Sequence, residues 1–375
     1  DTDRSRGLGD VYKRQRLLQT KSIITVKRTI LFFQAALACL LVGCKQAPES
    51  PRLQDEVRYV NPFIGTGFHG HTFPGATRPY AMVQLSPDTH ILGWDASSGY
   101  HYDDNHIYGF SHTHLSGTGI GDLGDVALLP FSGGDSIKPV ATFKKDTEKA
   151  TPGYYAVRLD NFGINVELTS TDRVGFHKYT YDNPKERRVL LDLGHILQPN
   201  WGHKLIGNQY LLVNDSTVEG TVKTQGWAHF HSMSYRITFS EPIETVYQYM
   251  DGKLRKDSLF LRLNTAEDLK FHYKFSEKAQ PLYVKVALSV VDPEGAEKNL
   301  EAELPGWDFD KTREESTHIW NEALNLIQIE ADPKVMVNFY TALYHTMIAP
   351  FAYQDVDGRY LGTVSYTHLT LPTKL

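Results

Sequence analysis

At about 150 residues per domain, a chain of 375 residues is too long for one small domain. With 41% hydrophobic, 22% charged and 12% aromatic residues it is not disordered, collagenous or coiled-coil throughout. The formal charge of −5 joins two unlike parts: residues 1–43 carry eight Lys/Arg and three Asp/Glu, which leaves a net of −10 over residues 44–375. An acidic body lacks the clustered cations that phosphate backbones require, so nucleic acid is excluded as the expected partner.

In chain order, the first expectation concerns the ends. No methionine precedes Met82, and residues 10–15 and 364–375 resemble translated adaptor sequence, so residues 1–15 and 364–375 are set aside as foreign. Residues 16–43 then read as a secretory signal: Lys27 and Arg28 precede an apolar run from Ile30 to Val42 that is too short to span a bilayer comfortably. Leu41-Val42-Gly43-Cys44 resembles a bacterial lipobox. That likeness implies lipidation of Cys44, residues 44–58 as a proline-containing tether, and a place in the bacterial cell envelope, facing the periplasm or the cell surface. Cys39 and Cys44 are the only cysteines, so the mature domain is expected to hold together without disulfides, by its core alone.

From Tyr59 to Pro130 the chain is crowded with glycine and histidine. Seven of the sixteen histidines fall between His69 and His114. The segment includes Phe68-His69-Gly70-His71, Gly93-Trp94-Asp95-Ala96-Ser97, and Ser111-His112-Thr113-His114. Glycines let backbone approach a ligand, while imidazole, indole and phenol rings offer flat faces with polar edges. Such loops suit a ligand with hydroxyls on one side and C–H groups on the other, which describes a sugar. Two alternatives stand beside this reading. Each His-x-His pair, His69/His71, His112/His114 and His229/His231, presents two nitrogens to zinc if it lies on a strand. Or the histidines brace loops by interior hydrogen bonds.

Short β-type runs follow. Tyr154–Leu159, Ile164–Thr169, Val174–Tyr181, Trp227–Phe239 and Lys270–Phe275 alternate or follow turn signals, while Val189–Leu193 and Leu282–Val291 read as strands buried on both faces. The pattern predicts a mainly β chain with a large β-sandwich over residues 59–305. Residues 306–331 are expected to form a linker: a helix from Asp308 to Leu324, acidic at its start, then a strand Leu324–Ile329. Asp332-Pro333 opens a second helix whose Val335, Met336, Phe339, Leu343 and Met347 recur at helical spacing until Pro350. After it, Asp355-Val356-Asp357-Gly358-Arg359 places two carboxylates one residue apart, which could hold sugar hydroxyls or a hard cation. No serine-hydrolase elbow or phosphate-binding glycine loop accompanies these motifs.

Val60–Pro79, Gly93–Tyr102, Ser111–Gly119, Thr171–His177, Glu294–Leu300 and Ala342–Tyr360 together resemble, in order and spacing, the N-terminal region of glycoside hydrolase family 92. The resemblance implies an exo-α-mannosidase that is calcium-dependent and inverting, with a β-sandwich joined to an (α/α)6 barrel whose truncated start is residues 332–363. It further implies that the catalytic acid, base and most calcium ligands lie beyond this chain, so the fragment itself is expected to be inactive. What remains is a binding half-site for a mannose-containing glycan: Trp94 as the sugar platform, His69 and His71 in the pocket wall, and Asp355 on mannose hydroxyls. Ala96-Ser97 departs from the Gly-Cys of many α1,2-acting members, which leaves the linkage open. The competing expectation is a non-catalytic, glycan-binding surface lipoprotein.

Overall fold

The computed structural model describes residues 53–133, 139–250, 253–256, 263–265, 269–362 and 367–368. The expected foreign ends, the signal at 16–43 and the lipidation site Cys44 lie outside the described residues, apart from 367–368. Among the described residues no helix is long and apolar enough to cross a membrane.

Two antiparallel sheets face one another. The first runs, edge to edge, through Ala76–Thr77, Gln84–Asp88, Gly109–Ser111, Ala127–Phe131, Arg188–Asp192, Lys270–Phe275, Ile243–Met250 and Lys253–Lys256. The second runs through Leu263–Thr265, Lys204–Asn214, Thr217–Gln225, His231–Phe239, Leu282–Ser289, Val174–Tyr181, Ile164–Ser170, Tyr154–Leu159 and Lys149–Thr151. Alternate side chains of each strand enter the space between them, as in Tyr154–Leu159, where Tyr155, Val157 and Leu159 are buried. Tyr210 of the second sheet stacks on Phe271 of the first, with ring centroids 3.7 Å apart, and its hydroxyl meets that of Tyr273 at 3.1 Å.

Among the described residues three α-helices follow Leu282–Ser289. Helix α1 (Pro293–Glu303) is capped by the Asp292 carboxylate, which accepts the Gly295 amide at 2.7 Å. It lies over Leu282–Ser289 and packs Ala296 with Ala287, Val174 and Phe176. This cover explains why Leu282–Ser289 reads as a continuous apolar run: both of its faces are buried. Helix α2 (Phe309–Leu324) is capped by Asp308 through the Lys311 amide at 3.0 Å. Its Trp320 donates Nε1–H to the Thr77 carbonyl at 2.7 Å. Helix α3 (Pro333–Thr346) sets Met336, Tyr340 and Tyr344 into a second core with Trp320, Leu324, Val57, Val60, Phe73 and Tyr100. The N-terminal approach to the histidine-rich loops is therefore bolted to the helices.

Three expectations are corrected. Leu324–Ile329 is not a strand: Leu324 ends α2, and the amides of Asn325, Leu326 and Ile327 fold back onto the carbonyls of Asn321, Ala323 and Leu324 as turns. Asn325 pairs with the backbone of Gln54 at 3.0 and 2.7 Å, and the Tyr340 hydroxyl donates to the Ile327 carbonyl at 3.2 Å. The strand expected from Trp227 begins only at His231, because the Asp122 carboxylate draws the amides of Trp227 and Ala228 into a loop, at 3.0 and 2.8 Å. Helix α1, absent from the expected elements, occupies the end of the stretch assigned to the sandwich.

Candidate functional site

Trp94 opens a short 3-10 turn after Gly93, whose φ of +95° lets the chain reverse and leaves the indole 49% exposed. His71 meets the indole edge-on with ring centroids 4.4 Å apart, and His69 lies 5.5 Å away. His69 Nδ1 donates to Asp95 Oδ1 at 2.6 Å. This hydrogen bond holds the exposed Asp95 carboxyl below its ordinary range, so the group stays ionised. Gly119 is the close approach that completes the wall: a Cβ there would lie 3.0 Å from Trp94 Nε1 and 3.1 Å from His71 Cε1. Beside the indole a cavity of about 220 Å³ is lined by His90, Asp95, His101 and Asp104. His71 Nε2 is enclosed, with no hydrogen-bond partner among the described residues.

The other histidines brace this wall from beneath. Asp88 is fully buried and accepts His114 Nε2 at 2.9 Å and His195 Nε2 at 2.8 Å. Burial alone would raise the Asp88 carboxyl; the two imidazoles outweigh it and hold it well below the carboxylate range. Asp125 likewise accepts Thr113 Oγ1 at 2.6 Å and His231 Nε2 at 2.8 Å. A third chain runs through neutral rings. His112 Nδ1 donates to the Val126 carbonyl at 2.6 Å, which leaves its Nε2 to accept from His177 Nε2 at 2.9 Å. His177 Nδ1 then accepts the Tyr179 hydroxyl at 2.8 Å. Gly175 makes room for it, since a Cβ there would sit 2.7 Å from His112 Cδ2.

His69, His71 and Trp94 are thus brought together, as the sequence suggested. Asp355 is not brought to them. It is 1% exposed, and its two carboxylate oxygens accept Ser289 Oγ at 2.7 Å and Asn299 Nδ2 at 2.9 Å, tying its loop to α1. Burial raises its pKa. Asp172, the other carboxyl raised by burial, lies among Arg78, Arg173 and Glu303 rather than around Trp94. The His-x-His pairs do not act as ligand pairs either: His112 and His114 turn to different partners, and His231 is spent on Asp125. Among the described residues no three His, Cys, Asp or Glu side chains converge as a cation site. These residues by themselves do not fit a bound calcium. The arrangement is a rigid, ionised, aromatic wall that can grip a polar ligand.

Residues 59–289 match the model of the glycosyl hydrolase family 92 N-terminal domain, and residues 295–371 match that of the family 92 catalytic domain. An uncharacterized secreted glycosidase of Arthroderma benhamiae is 28% identical over 340 residues, covering 81% of this chain and 42% of the relative. The family GH92 α-mannosidase BT3965 from Bacteroides thetaiotaomicron, also solved in complex with mannoimidazole, superposes with a TM-score of 0.77 at 33% identity. That match covers 82% of this chain and 43% of BT3965. The inverting mannosidase BT2199 of the same organism, at 23% identity and a TM-score of 0.71, shares the fold. The chain spans less than half the length of these relatives.

Proposed function

The chain belongs to glycosyl hydrolase family 92, and from that membership we propose that it is the N-terminal part of a secreted exo-α-mannosidase that acts on mannose-containing glycans. The observation that carries this reading is the half-exposed Trp94 indole, flanked by His71 and by the Asp95–His69 pair. An indole face takes the C–H side of a pyranose, while an ionised carboxylate and imidazole nitrogens take its hydroxyls. Fixing both sides orients the glycosidic bond before any proton moves. The wall offers no carboxyl of raised pKa among the residues around Trp94. We therefore assign the proton-donating acid and the water-activating base of an inverting reaction, about 6.5–9.5 Å apart, to the part of the relatives' length that this chain does not span. Any calcium ligands belong to the same part. Anchorage in a bacterial envelope through Cys44 completes the reading.

The test is Trp94→Ala in this protein joined to a complete family 92 catalytic domain. We expect kcat/KM on α-mannosides to fall at least about tenfold, the loss of roughly 1.4 kcal/mol of binding. The melting temperature should hold within a degree or two, because the indole is half exposed. Unchanged kinetics would remove Trp94 from the substrate site.

A further inference from the structure

A second cleft of about 330 Å³ is lined in part by Gly119, the residue that also approaches Trp94 and His71. Its rim carries two tryptophans, Trp201 (50% exposed) and Trp227 (78% exposed). Single exposed apolar side chains are ordinary, but two indoles bordering one polar cleft are not. Both are held in place. Trp201 ends a 3-10 turn, Pro199–Trp201, and its amide donates to the Gln198 carbonyl at 3.0 Å. Trp227 stands on the loop whose two amides are held by Asp122. Gly226 permits that approach, since a Cβ there would be 2.3 Å from Asp122 Oδ1.

The lining of the cleft supplies a polar atom with no partner among the described residues. His203 is 3% exposed and lines the cleft. Its Nδ1 donates to the Leu197 carbonyl at 2.6 Å, so Nε2 carries the lone pair. That Nε2 is enclosed and meets no hydrogen-bond partner among the described residues. A buried acceptor left unpaired is costly, and a ligand hydroxyl is the donor that would satisfy it. The cleft also joins the first wall covalently and by hydrogen bond: Gly119 borders both, and Gln198 Nε2 donates to the carbonyl of Gly93, next to Trp94, at 2.7 Å.

We propose that the Trp201–Trp227 cleft is a second carbohydrate site, continuous with the Trp94 wall, which holds sugar units of an oligosaccharide distal to the one lodged at Trp94. Two indoles offer apolar faces to pyranose C–H groups, and His203 Nε2 accepts a hydroxyl between them. The identity of the sugar as an α-linked manno-oligosaccharide rests on the mannosidase reading; the existence of the cleft as a carbohydrate site does not.

The 375-residue chain is titrated calorimetrically with methyl α-mannoside, α-mannotetraose and, as a control sugar, cellotetraose. We expect the tetraose to bind at least about tenfold more tightly than the monosaccharide. In Trp201→Ala, Trp227→Ala and His203→Phe, measured separately, the ratio of tetraose to monosaccharide affinity should fall by about tenfold for each indole. Circular dichroism and melting curves monitor the fold, and the two exposed tryptophans keep the test independent of the buried His203. A ratio unchanged in both tryptophan variants overturns the proposal while leaving the mannosidase reading intact. Cellotetraose bound in a Trp201- and Trp227-dependent manner, with no mannotetraose binding, upholds the cleft and overturns the mannose assignment. No heat with any oligosaccharide at millimolar concentration overturns the cleft.

Discussion

Asp88 and Asp125 sit beneath the aromatic loops with their charges met by imidazole, and the consequences are measurable one residue at a time. Removing the Asp88 carboxylate leaves His114 and His195 facing an empty, buried space. We expect Asp88→Ala to cost about 3–5 kcal/mol in urea unfolding, the scale for breaking a buried ion pair; a loss under about 1 kcal/mol would show that the pair is dispensable. The His112–His177 pair predicts a pH dependence of definite sign. Burial holds His112 near a pKa of about 3 and His177 well below its ordinary value, whereas the unfolded imidazoles take protons near pH 6.5. Their contribution is present above about pH 6.5 and is lost as pH falls below it. His195, raised by Asp88 against the lowering effect of burial, acts in the opposite sense: its contribution is present below about pH 6.5 and fades as pH rises through the folded value. Replacing both members of the neutral pair, His112→Phe with His177→Phe, should therefore flatten the acid side of the stability profile between pH 6 and 4 by up to about 2.7 kcal/mol per pH unit. An unaltered slope would locate the acid sensitivity elsewhere. None of this was legible in the His-x-His spacing. The same short pattern sets His69 and His71 beside the Trp94 indole and makes an interior brace of His112 and His114, because partners distant in sequence, such as His177 and Asp88, decide the role.

At the scale of elements, alternation of residue type carried the reading well, both where burial alternates along the strand, as in Tyr154–Leu159, and where most of both faces is covered, as in Val174–Tyr181 and Lys270–Phe275. Tyr154–Leu159, Val174–Tyr181 and Lys270–Phe275 stand where the sequence placed them. Helix α1 escaped because its buried face is Gly295, Ala296 and Asn299, small or polar groups that leave no apolar stripe. The small face is required, as a Cβ on Gly295 would fall 2.2 Å from Asp355 Oδ2. That same contact explains why two carboxylates one residue apart looked like a ligand-binding pair: the sequence does not reveal that Ser289 and Asn299 already occupy Asp355. Trp201 and Trp227 were missed for a different reason, since they belong to loops outside the crowded His69–His114 window and meet only through the fold. Helix α2 depends on Trp320, fully buried and bonded to Thr77. Trp320→Ala should cost about 3–5 kcal/mol, and Trp320→Phe only about 1–2 kcal/mol, because the second change keeps the packing and loses mainly the hydrogen bond. Equal losses for the two would mean that packing against Tyr344 and Leu324 contributes little.

For the molecule as a whole, the chain covers 42–43% of the length of its relatives. Among the described residues, the loops around Trp94 present the His69–Asp95 pair and His71, and on the proposed reading the carboxyl pair that inversion requires belongs to the length this chain does not span. We expect the purified chain to release no mannose from α-mannosides above the uncatalysed background, measured by a coupled mannose assay with and without added calcium. Robust release would reveal an acid and base within these residues. The sandwich was legible from composition and periodicity, and the family from six separated motifs in register. The depth of Asp355 and the second cleft were not, because both depend on which loops meet across hundreds of residues.

The second core has a consequence for how the molecule is made. Val57 and Asn61 donate their amides to Asn321 and Thr341, which lie 264 and 280 positions further on. During synthesis, the stretch that leaves the ribosome early must wait, undocked, until α2 and α3 emerge. Synthesis at about 5–20 residues per second makes that wait tens of seconds. Val57, Val60 and Phe73 then need a chaperone or transient burial to shield them, so the first part of the domain to be born is among the last to settle.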